Sequence, residues 1–151
     1  MKKILTSLQL IRITFIGILI VTSCNVTVKY DKEKYSINKK CDKMMQLFSE
    51  RKTSESIEVL KTITEVIPSN ICDSLKIEVK NQFDNLTPSY GKIIGWEFAK
   101  EYSYEDYIVK RIYILKFEKY YLKFDFTIYK GSNGWKVTEF NYSNDLFDLI
   151  Y

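Results

Sequence analysis

The chain has 151 residues, 46% of them hydrophobic, and 23 basic against 19 acidic residues give a formal charge of +4. That length is one ordinary domain. There is no histidine, which excludes histidine general bases, Ser-His and Cys-His nucleophile pairs and histidine metal ligands.

The chain opens with Lys2 and Lys3, followed by an apolar run over residues 13–21 that only Thr14 and Gly17 interrupt. A spanning helix needs ~20 mainly apolar residues, and Arg12 and Gln9 cut this one short. The charged start, short core and small-residue exit fit a cleaved signal, with an uncleaved anchor helix as the alternative. With Val21-Thr22-Ser23-Cys24 behind it, the segment resembles a bacterial lipoprotein signal ending in a lipobox. The resemblance implies that residues 1–23 are removed and that Cys24 carries a diacylglyceryl thioether and an acylated amine. Two or more acyl chains anchor stably, each buried CH2 contributing ~0.8 kcal/mol. In that family an Asp after the cysteine often marks inner-membrane retention. Here Asn25 follows, with no acidic cluster behind it. The expected location is the outer membrane, facing the periplasm.

Without residues 1–23 the chain keeps 128 residues and a charge of about +1. Only Arg51 and Arg111 remain as arginines, whereas a nucleic-acid binder carries a basic excess. Nucleic acid is therefore rejected as a partner. The abundance of lysine, isoleucine, asparagine and tyrosine reads as AT-rich coding. Residues 24–33 read as a tether, and 34–151 as the domain.

From about Tyr35 the period becomes helical, with Ile37, Cys41, Met44, Met45 and Phe48 on one face. Residues 50–53 break it. Thr53 or Ser54 can cap a second helix, with Glu55 in its first turn and a buried face of Ile57, Leu60, Ile63 and Ile67. Pro68 stops it. Ser69 or Asn70 can cap a third helix with the stripe Ile71, Leu75, Val79, Phe83 and Leu86. Thr87-Pro88 ends that one, since the residue before proline avoids the helical region. Cys41 and Cys72 fit no metal spacing. They lie on or beside apolar faces, where packed thiols are favoured over a disulfide.

After Gly91 the chain is dense in aromatic and β-branched residues, which suit strands. Four are expected, over about 92–102, 106–117, 120–130 and 135–142. On the third, Tyr120, Leu122, Phe124, Phe126 and Ile128 share one face. Tyr121, Lys123, Asp125, Thr127 and Tyr129 share a wetter one. The fourth is out of phase, with Trp135 and Val137 opposite Phe140 and Tyr142, which a bulge or two-sided burial would explain. A short terminal helix or turn carrying Leu146, Phe147, Leu149 and Ile150 closes the chain. The fold class is α+β, N-terminal helices packed on a curved four-stranded antiparallel sheet.

Short helices, then residues 90–95 (Tyr-Gly-Lys-Ile-Ile-Gly) opening a long meander, then Gly134-Trp135-Lys136-Val137 starting the last strand, resemble the nuclear transport factor 2-like (cystatin-like) superfamily. The chain is similar in particular to small bacterial lipoproteins of that fold, over about residues 35–142. The resemblance implies a cone-shaped cavity between sheet and helices. Some members are isomerases or dehydratases that use pocket Asp and His residues; many only bind.

Candidate chemistry is sparse. Arg111 shares a strand face with Val109, Tyr113, Leu115 and Phe117. It reads as a ligand anchor or as an ion pair with Glu97 or Glu139 on a neighbouring strand. If it anchors a ligand, Tyr113 and Phe126 line the pocket. Asp125 is a solvated strand charge unless burial raises its pKa into the range of a general base. The many tyrosines read as strand formers or as a recognition surface. Asp73-Ser74-Leu75 resembles a bacterial O-glycosylation triplet, or is a polar first helical turn. No cofactor and no metal are expected. The function expected is a non-catalytic binding module for a small ligand or an envelope protein partner. The alternatives are an inhibitor or immunity-type protein of an envelope enzyme and a disfavoured isomerase-like enzyme. A deep apolar cavity with one polar group points to a small ligand, and a filled core with an exposed aromatic patch to a protein.

Overall fold

A computed structural model describes residues 31–145. Cys24, the signal and most of the tether lie outside the described residues, as does the turn expected over 146–150. Three helices, α1 (Lys32–Ser49), α2 (Thr53–Lys61) and α3 (Ser69–Tyr90), precede four strands. These are β1 (Ile93–Tyr104), β2 (Ile108–Phe117), β3 (Tyr121–Gly131) and β4 (Gly134–Ser143). The strands form one open antiparallel sheet in the order β1-β2-β3-β4. The architecture is α+β with the helices N-terminal to the sheet. No helix among the described residues is long and apolar enough to cross a membrane.

Helix α1 starts three residues earlier than its apolar period suggests. Asp31 caps it, accepting from the Glu33 and Lys34 amides at 3.1 and 3.0 Å. Lys32 and Glu33, read as tether, are therefore its first turn. Its buried face is the expected Ile37, Cys41, Met44, Met45 and Phe48, with Leu47 added. Arg51 adopts a left-handed conformation, φ 60°, and lets the Lys52 amide return to the Leu47 carbonyl at 2.9 Å.

Helix α2 ends at Lys61 and does not run on to Pro68. The Ile63 carbonyl instead accepts the Val137 amide of edge strand β4 at 2.8 Å, and this sheet contact takes the chain out of the helix. Thr53 lies inside α2, and Lys52 occupies the cap position without a capping side-chain bond. In α3 the buried residues are Cys72, Val79 and Phe83. Ile71, expected in the stripe, is 46% exposed. Pro88 sits within α3 and does not end it. Tyr90 holds the last turn, its ring against Phe117 and Tyr120 and its carbonyl accepting the Lys119 amide at 2.9 Å. Gly91 then ends the helix at φ 83°, where a Cβ would lie 2.8 Å from that of Glu118.

Three bulges set the faces of the sheet, the first at Ile94, where the ladder runs from Ile93↔Phe117 to Gly95↔Lys116. In β4 the ladder runs from Ile128↔Val137 to Thr127↔Glu139, so Thr138 is an extra residue. Trp135, Val137 and Phe140 then all reach the buried core, which accounts for the phase break. In β1 the ladder runs from Phe98↔Tyr113 to Lys100↔Ile112. Ala99 is extra there, and Glu101 turns onto the face of its partner Arg111. The core joins Phe48 of α1, Phe83 of α3, and Phe124 and Phe140 of the sheet, with ring centroids 5.1–6.4 Å apart. These rings fill the layer in which the family resemblance places a cavity.

Candidate functional site

The densest polar assembly is a seam between α1 and the β1–β2 pair. Lys34, Asn38, Asp42 and Gln46 recur every four residues along α1, so they form one stripe beside its apolar face. Each meets the sheet. Lys34 Nζ pairs with Glu101 at 2.8 Å, and Gln46 Oε1 accepts from Trp96 Nε1 at 3.0 Å.

Arg111 is at the centre. It is 7% exposed and projects from β2 towards the helices, as its strand face predicts. Its Nε donates to Tyr113 Oη at 2.8 Å and its Nη1 to Glu101 Oε2 at 2.5 Å. Nη2 donates to Asp42 Oδ1 at 3.4 Å. Asn38, turned so that both ends of its amide are satisfied, accepts from Nη1 at 2.9 Å. The Phe98 ring lies 4.4 Å from the guanidinium carbon. Tyr113 Oη donates in turn to Asp42 Oδ1 at 2.8 Å, and the Phe126 ring stands edge-on to Tyr113 at 5.6 Å.

Arg111, Tyr113 and Phe126 are therefore neighbours, but the fork of Arg111 is already engaged by the fold. The partner expected for a structural arginine was Glu97 or Glu139. Glu97 pairs with Lys116 at 2.6 Å, and Glu139 accepts from Thr127 and Asn141. Glu101 takes their place because the Ala99 bulge turns it to that face.

The electrostatics follow from burial. Desolvation opposes the charge of Arg111, and Tyr113, Glu101 and Asp42 outweigh it, leaving the guanidinium above its ordinary pKa. Burial, followed by the neighbouring Cys41, pushes the Tyr113 phenol far above its usual range. Burial pushes the Cys41 thiol up to about 12, so it stays protonated and inert at neutral pH. Cys41 and Cys72 are both free and buried. The charged neighbours of Cys41 are Arg111 and Asp42, and those of Cys72 are Lys61, Asp73, Lys76 and Glu58.

Asp125 is not the solvated charge expected. It projects from the sheet face away from the helices, yet it is only 6% exposed. Lys110 and Lys123 approach it at 3.8 and 3.9 Å, which compensates a buried carboxylate. Asp73 is an exposed residue paired with Lys61 and Lys76, and Ser74 Oγ donates to the Asn70 carbonyl at 3.1 Å. No group of three potential metal ligands occurs among the described residues.

The strand tyrosines divide. Tyr113 is buried, whereas Tyr104, Tyr107 and Tyr129 are 64%, 41% and 45% exposed at one end of the sheet. Their rings meet edge to face at 6.0 and 6.4 Å. Sequence reasoning missed Asp42, Asn38, Lys34 and Glu101. The four-residue polar spacing on α1 was the available signal; for Glu101 the sequence carried no sign of the bulge that sets its face. Comparison with known proteins finds no matching family model, no matching curated protein and no matching solved structure.

Proposed function

We propose that this chain is a lipid-anchored envelope protein whose folded domain is a non-catalytic binding module for a protein partner. The carrying observation is the exposed aromatic cluster of Tyr104, Tyr107 and Tyr129. Tyrosine combines large contact area with a polar tip and is enriched at interfaces. The packed rings between helices and sheet and the engaged fork of Arg111 support a protein partner over a small ligand in the core. The inhibitor or immunity reading is one form of this proposal, with an envelope enzyme as partner. The nuclear transport factor 2-like assignment stays with it as a family proposal, as does the outer-membrane, periplasm-facing location.

A photocrosslinking residue at Tyr107 in the full chain tests the binding reading in cells. A discrete protein adduct that Tyr104→Ser and Tyr129→Ser abolish is expected, with none from a crosslinker at Ser74. A small molecule bound one-to-one to the purified chain in native mass spectrometry, with no adduct in cells, overturns it. The anchor is tested separately by labelled palmitate, which the natural chain should incorporate and Cys24→Ala should not.

A further inference from the structure

The two edges of the sheet are finished differently. At β4 the Val137 amide is taken by the Ile63 carbonyl at 2.8 Å. β1 is the other edge, 12 residues long, and only β2 pairs with it among the described residues. Residues 97–100 are all exposed. Such an edge offers a row of backbone donors and acceptors to an added strand.

Helix α1 overhangs that edge. Its polar stripe meets β1 at Glu101 through Lys34 and at Trp96 through Gln46. Lys39 and Lys43 each follow a stripe residue, about 100° further round the helix and away from its core face. Both are exposed. Lys39 lies over the Tyr35 ring, and Lys100 of β1 over the Tyr102 ring. Neither they nor Lys43 forms an ion pair among the described residues. The acids beside the edge are already held, Glu97 by Lys116 and Glu101 by Lys34 and Arg111. The surplus charge along this edge is therefore positive. Phe98 adds an apolar contact: it is 46% exposed, on the helix side of β1 beside Tyr113.

We propose that the free edge of β1 takes up an extended acidic segment of a protein partner as a fifth strand. The inference rests on the protein-binding reading and adds the mode and chemistry of docking. Alternate residues of a strand repeat about every 6.6 Å, and residues four apart on a helix about every 6 Å. Carboxylates two residues apart on the added strand therefore meet Lys39 and Lys43 together. A second copy of the chain fits less well. The bulges at Ile94 and Ala99 turn the edge away from an identical edge, and the β1 acids it would bring are already paired.

The test is a titration of the isotope-labelled full chain in detergent with the peptide acetyl-Thr-Glu-Thr-Glu-Thr-Val-Thr-amide, followed by NMR. Saturable shifts and slowed hydrogen exchange over residues 96–104 are expected, with no binding when lysine replaces glutamate in the peptide. Methylating the backbone nitrogens of one alternate set of peptide residues should abolish binding. Methylating the other set should preserve it, because a docked strand turns only one edge to β1. Lys39→Glu combined with Lys43→Glu should raise the Kd about tenfold, and Lys80→Glu on α3 should leave it unchanged. Non-saturating shifts, equal binding by the lysine peptide or equal binding by both methylated peptides overturns the proposal. So does a chain that is dimeric without peptide and already protected along β1, which makes the occupant a second copy. If the double variant fails to fold, the methylated peptides decide on the natural chain. Failure of the peptide at the edge alongside a discrete Tyr107 adduct in cells overturns this inference and leaves the binding reading standing.

Discussion

Arg111 and Arg51 carry the same guanidinium and meet the same kinds of partner, an acid and a hydroxyl. Arg111 holds Glu101, Asp42 and the Tyr113 phenol; Arg51 holds Asp84 and the Thr87 hydroxyl. The Arg111 side chain is 9% exposed and that of Arg51 is 45%. Water screens the exposed pair and competes for its donors. The buried fork has no such alternative, so each bond it makes becomes a condition of the fold. Buried charge here belongs to architecture, whereas the exposed arginine makes a pair that the fold can do without.

The sharpest way to break that contrast is Arg111→Met. It keeps the apolar stem but leaves Glu101 with Lys34 and Asp42 with the Tyr113 hydroxyl as their remaining partners. A loss of about 3 kcal/mol is expected in urea denaturation, at the lower end for a broken buried pair because both acids are partly exposed. An unchanged midpoint with altered ligand retention would instead restore Arg111 as a ligand anchor.

Asp31 tests the other end of α1. It caps the helix and also accepts from Trp135 Nε1 at 2.8 Å and Lys130 Nζ at 3.2 Å, tying the helix to the β3–β4 hairpin. Gly134 turns the hairpin beside this contact at φ 87°, a conformation that favours glycine. Asp31→Ala should cost about 1–2 kcal/mol. The Lys34 amide, then Trp135, hold the Asp31 carboxyl well below its usual range. Its stabilisation is therefore complete above the unfolded pKa of ~3.9 and fades as pH falls below it. Urea midpoints from pH 6 downwards should show Asp31→Asn losing less than the natural chain in that acid window.

Tyr113→Phe should cost about 1 kcal/mol by equilibrium unfolding, because Asp42 keeps Arg111 as a partner. Arg51→Met should leave the urea midpoint within measurement error, as befits an exposed pair. A large effect there would erase the distinction between the two arginines.

Much of the chain can be read locally. The stripe Ile37, Cys41, Met44, Met45 and Phe48 is buried as its spacing requires, and four strands follow close to their expected bounds. The phase break in β4 announced its bulge, because Trp135 and Phe140 cannot share a face under strict alternation. The bulge at Ala99 left no such trace, since Phe98, Lys100 and Glu101 suit either reading. The partner of Arg111 was therefore illegible, although the polar stripe from Lys34 to Gln46 was in plain view.

Local patterning determined the α+β class, the core faces of α1, β2 and β3, and the exclusion of histidine chemistry, because periodicity and composition act over a few residues. The end of α2, the passage of α3 through Pro88 and the burial of Asp125 were decided by distant partners. A carbonyl that finds Val137, a turn held by Phe117 and Tyr120, and a carboxylate flanked by Lys110 and Lys123 each outweigh a local preference of about 1–3 kcal/mol. Such contacts exist only once the sheet has brought remote residues together.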